Sequence, residues 1–121
     1  MNNPGDPSTP SVPDTRSRLQ AAARVLRETN SIDSEVHRAL SDLVNELDRA
    51  SQTPTVPPAE VAHLADVTAH LTEALHHGHD RGVLEHVRAR LQEMALQVET
   101  RAPTTVHVVE RLINALANIG I

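Results

Sequence analysis

Two stretches with the same apolar spacing set most of what this chain can become. Val61, Leu64, Thr68, Leu71 and Leu75 follow one another at intervals of 3, 4, 3 and 4. Leu84, Val87, Leu91, Met94 and Val98 repeat that rhythm. Such alternation keeps one stripe on one side of an α-helix and makes a coiled-coil seam. Only the turn His76-His-Gly-His-Asp-Arg-Gly82 separates the two, so an antiparallel hairpin is predicted over residues 58–101. Val83 and Leu96 lie off both seams and require another neighbour.

The first half of the chain reads as a second helix pair, over residues 14–50. Asp14 is the expected N-cap of a helix reaching about Glu28, with Leu19, Ala22, Ala23 and Leu26 as its stripe. Asn30 and Ser31 break it. Asp33 is the expected cap of the next helix, with Glu35 in the first turn where the helix dipole favours a carboxylate. Val36, Leu40, Leu43, Val44 and Leu47 form its core face. Residues 51–57 are a linker. Upstream, Pro4, Pro7, Pro10 and Pro13 recur at every third position, the period of polyproline II. Residues 1–13 are therefore expected to be a disordered, solvated tail. No run alternates apolar and polar residues, so no strand is predicted. The fold class is all-α: an up-and-down bundle of about five helices in a domain spanning residues 14–121.

The last helix, residues 103–121, is apolar over most of its circumference. Pro103 suits its first position. Val106, Val109, Ile113 and Leu116 make one seam, and Val108, Leu112 and Ile119 a second. A helix of this kind must be covered on more than one side. The expected interaction residues are Val108, Leu112, Ile113, Leu116 and Ile119, meeting either another helix of the chain or a second copy. Gly120 can adopt the left-handed conformation that closes a helix. Ile121 then falls where it can contact Leu116, as a Schellman cap favours.

Composition narrows the function. The 121 residues include no Phe, Tyr, Trp or Cys. The core must come from Leu, Val, Ile, Ala and Met, each large buried aliphatic contributing about 1.5–3 kcal/mol. That margin is thin, and self-association would widen it. Without cysteine there is no disulfide, Cys-ligated zinc or thiol nucleophile. The basic residues are all Arg, scattered from Arg16 to Arg111, and the formal charge is −5. No segment has a basic excess and no aromatic can stack on a base, so nucleic acid is not an expected partner. No segment approaches the roughly twenty apolar residues of a membrane span. The N-terminus has no secretory pattern, and a cytoplasmic protein is expected.

No catalytic motif is present, so no enzyme activity, catalytic residue or cofactor is assigned. The candidate chemistry is in the histidines. His76, His77, His79 and Asp80 cluster in the hairpin turn and could offer imidazoles and a carboxylate to Zn²⁺ or Ni²⁺. His63, His70 and His77 form a row, but helical neighbours at that spacing are about 10 Å apart and cannot share one metal. The reading favoured by these residues is a non-enzymatic interaction or scaffold module that self-associates through the last helix or the hairpin. The alternative is a metal- or small-ligand-binding protein using the His76–Asp80 turn.

The C-terminal block also carries a resemblance. Ala95, Glu99, Pro103 and Leu116-Ala-Asn-Ile-Gly-Ile121 follow a pattern similar to the small bacterial family catalogued as domain of unknown function 4404. Residues 32–47 resemble its second helix, and the likeness spans roughly residues 17–121. Val98 stands where the family usually has Phe, and Ala102 where it usually has His. The resemblance implies a Leu-rich helical fold and carries no activity to transfer.

Overall fold

The computed structural model describes residues 12–29, 32–53, 56–78 and 80–121. Over these the chain forms five α-helices: α1 (Val12–Glu28), α2 (Ser34–Ala50), α3 (Pro58–His77), α4 (Arg81–Gln97) and α5 (Pro103–Asn118). No strand occurs among the described residues. The proline-repeat tail before Val12 lies outside them.

Helix boundaries follow the capping residues with two corrections. Asp33 caps α2 through its carboxylate, which accepts from the backbone N–H groups of Glu35 and Val36. Asp14, expected as a cap, instead sits in the first turn of α1, which begins at Val12. There its charge meets the positive end of the helix dipole. The hairpin's second helix stops at Gln97 and not near residue 101. Val98 N–H turns back to the Ala95 carbonyl, and Ala102 is driven to an extended φ of −140° by the proline that follows.

The C-terminal cap forms as expected. Ile121 N–H bonds to the Leu116 carbonyl at 2.9 Å and Gly120 N–H to Ala117 at 3.0 Å. These are the two bonds of a Schellman motif. Gly120 has φ +90°, which a residue with a Cβ rarely adopts.

Two helices hold the rest. α2 packs on α1, α3 and α5, while α3 packs on α1, α2 and α4; α4 also meets α5. Helices α2 to α5 therefore form a square, and α1 lies outside it in the groove between α2 and α3. The chain reverses direction between α3 and α4. Beyond the end of α4, Arg101 returns to the first turn of α3 and bonds to both Glu60 oxygens at 2.7 and 2.6 Å. That contact fixes α3 and α4 as antiparallel.

The core is aliphatic throughout. Leu40, Leu43 and Leu47 of α2 and Leu64 and Leu71 of α3 are fully buried, with Leu91, Leu112 and Leu116 from the helices around them. The two polar interlopers on α3 satisfy themselves. Thr68 donates to the Leu64 carbonyl at 2.7 Å and Thr72 to the Thr68 carbonyl at 2.9 Å. Each hydroxyl therefore enters the core without an unmade bond. Leu43→Ala is expected to cost about 2–5 kcal/mol, the range for fully buried leucines. Chemical denaturation measures it; a loss below about 1 kcal/mol would show that α2 does not carry the core.

Candidate functional site

The histidine turn is divided among separate structural tasks. Asp80 caps α4, its Oδ1 accepting from Val83 N–H at 3.0 Å. His77 Nε2 donates to Glu73 Oε2, one helical turn back, at 3.0 Å. His76 Nδ1 lies 2.6 Å from Thr29 Oγ1, beyond the end of α1. The Thr29 hydroxyl already donates its one proton to the Val25 carbonyl at 2.7 Å. His76 Nδ1–H is therefore the donor to Thr29. The two rings meet edge to face with centroids 5.1 Å apart. His79 lies outside the described residues. Among the described residues no three His, Asp or Glu side chains converge on a point where a metal ion could sit.

His37 supplies a parallel tie. Its Nε2–H donates to the Leu26 carbonyl in the last turn of α1 at 2.9 Å. The last carbonyls of a helix have no partner within it. Here α2 and α3 satisfy that end of α1 with one imidazole each, directly through His37 and through Thr29 for His76. Neither contact was visible in the sequence, since the partners lie 11 and 47 residues apart.

The opposite end of the bundle holds its most buried charge. Glu46 of α2 is 9% exposed. It accepts from Arg49 Nε and Nη2 at 3.1 and 2.5 Å and from the Thr105 hydroxyl at 2.9 Å. The hydrogen bond and the charge of Glu46 raise the pKa of the Arg49 guanidinium above its ordinary value. Thr105 stands in the first turn of α5, whose N-cap Ala102 has no side-chain cap to offer. A carboxylate from the neighbouring helix thus faces the positive end of α5. At the other end, Arg81 at the start of α4 donates through Nε (2.7 Å) and Nη2 to the Gly120 carbonyl.

The expected interaction residues of α5 divide. Leu112 and Leu116 are fully buried within the chain, packed with Val109 into the shared core. The second seam is thus not a separate face. At 100° per residue, Leu112 falls between Val109 and Val108 on one broad arc, which α2 and α4 cover from two sides. Val108 and Ile113 are half-buried, and Ile119 is 41% exposed. The residues left over are those the hairpin seams could not accommodate. Val83 is 40% exposed and Leu96 is 62% exposed. Leu96 edges an open cleft of 210 Å³ between α4 and α5, which Ile113 and Val106 also line and Glu99 and Glu110 flank.

Residues 36–121 match the family described as a domain of unknown function, DUF4404, and the chain belongs to that family. No curated protein and no solved structure matches it. The matched span opens in the first turn of α2 and contains the rest of the four-helix square. α1 lies outside it.

His76→Ala should cost about 0.5–1.5 kcal/mol through the lost tie to Thr29. His77→Ala, whose partner is an exposed glutamate on its own helix, should change stability by less than about 0.5 kcal/mol. Thermal melts of the two variants compare them, and equal losses would contradict the tie.

Proposed function

We propose that this protein is a non-enzymatic helical interaction module that self-associates, with the cleft between α4 and α5 as the contact surface. The carrying observation is Leu96: a large aliphatic side chain exposed beside half-buried Ile113, in a molecule that buries every other leucine. A second copy placing the same cleft against this one would bring Leu96 and Ile113 toward their counterparts, as two-fold contacts do. Such a contact also supplies the extra apolar burial that an aromatic-free core lacks. Val108 and Ile119 remain available at the margin of α5, whereas Leu112 and Leu116 act by holding α5 in place.

The turn reading has less to support it. Asp80 is engaged as a helix cap, and His76 and His77 face different partners.

Two substitutions separate contact from core. Leu96→Glu puts a charge on the exposed edge and should yield a smaller particle by multi-angle light scattering, with unchanged far-UV circular dichroism. Leu112→Glu buries a charge in the aliphatic core and should unfold the chain. A wild type that is strictly monomeric at about 100 μM, a concentration at which even weak dimers with a Kd near 10 μM populate, would refute self-association.

A further inference from the structure

We infer that a second copy docks on the α4–α5 cleft in one orientation, antiparallel and two-fold, with Arg88 of each copy paired to Glu99 of the other. This rests on the self-association proposed above and adds which residues recognise the partner and set its register.

Arg88 and Glu99 are charges that one copy cannot bring together. Gln92, Ala95 and Glu99 line the cleft, and Arg88 stands one turn before Gln92. At 100° per residue these four fall within about 60° of one another around α4 and its closing turn. Arg88 and Glu99 therefore share the cleft side. Along the axis they are about 16 Å apart at 1.5 Å per residue, too far for an ion pair. Among the described residues neither has an ion pair with any other group. The half-buried guanidinium of Arg88 is also poorly served. Its Nε–H is buried without an acceptor, and Nη1 reaches only Gln92 Oε1 at 3.4 Å. A buried donor with no acceptor is costly. Glu99 is exposed, and Glu110 on the α5 wall adds a second exposed carboxylate to the cleft.

The spacing is self-complementary. The midpoint between Arg88 and Glu99 falls between Glu93 and Met94, and so does the midpoint between Gln92 and Ala95. A two-fold axis through that point, perpendicular to α4, sets Arg88 opposite the partner's Glu99 and Gln92 opposite the partner's Ala95, each of them twice. Leu96 then lies over the partner's Ala89 and Gln92, where the alanine leaves room for it. A parallel arrangement would set arginine against arginine and glutamate against glutamate, and like charges disfavour it. The aliphatic cleft supplies the burial, and the charge pairs choose the orientation. A copy of this chain is the occupant that these features fit, because it presents the same two charges at the same spacing in the opposite direction.

Charge reversal in the full chain, read by sedimentation velocity, tests the pairing. Arg88→Glu or Glu99→Arg alone sets like charges opposite each other across the axis. Each should raise the dimer Kd about tenfold, as reversal of exposed pairs implies. An equal mixture of the two variants should associate close to the wild-type Kd, since both pairs in the mixed dimer again carry unlike charges. The double variant R88E/E99R should do the same. If Arg88→Glu loses the wild-type circular dichroism, the exposed Glu99→Arg decides, together with a wild-type dimer that weakens between about 0.05 and about 0.5 M salt. Single variants that dimerise like the wild type, or a mixture no tighter than either variant alone, would overturn the pairing. In that case a dimer that Leu96→Glu abolishes still upholds the cleft as the contact. A wild type that is monomeric at about 100 μM removes both and leaves the cleft to a partner other than this chain.

Discussion

Helices α2 and α3 are what the other three depend on, less through their direct contact, which is as narrow as that of α4 with α5, than through the neighbours each one gathers. A core without aromatic rings has no side chain large enough to bridge a wide gap between helices. Leucine, valine and alanine must close the space, and they do so only where each helix meets several neighbours. α2 and α3 each touch three other helices. Leu40, Leu43 and Leu47 on one and Leu64 and Leu71 on the other form the buried axis. α5 attaches mainly through α2, and α4 through α3. The α4–α5 contact that closes the square is thin and leaves the cleft beside Leu96.

Polar ties secure what the aliphatic core holds loosely. They cluster at the two ends of the bundle, where helices expose unpaired backbone groups. Glu46 and Thr105 join α2 to α5 at one end; His37 and His76 hold the last turn of α1 at the other. Arg81 reaches the Gly120 carbonyl, so the C-terminal cap is bonded to the helix beside it. Each is a single contact of about 1 kcal/mol. Against the few kcal/mol by which small domains are stable, several together matter.

The number and type of elements were legible because helical periodicity is a local signal. The seams over Val61–Leu75 and Leu84–Val98, the Asp33 cap and the Gly120 closure all depend on residues within two turns of one another. Val83 and Leu96 were also identifiable as residues without a place in either seam, and they are among the exposed aliphatics. What could not be read was how helices meet. Leu112 looked like a second stripe because sequence gives its angle around α5 but not the positions of α2 and α4. The histidine turn looked like one cluster because Thr29, the partner of His76, lies 47 residues away. His76, His77 and Asp80, neighbours in sequence, are each engaged by a different partner in the fold.

Native-state hydrogen exchange tests the claim that α2 and α3 form the axis. Core amides of α2 and α3, at Leu40 to Leu47 and Leu64 to Leu71, are expected to exchange only through global unfolding. Those of α1 and α4 should open at lower free energy, in separable steps. Uniform protection across all five helices, or α4 protected longer than α2, would contradict it.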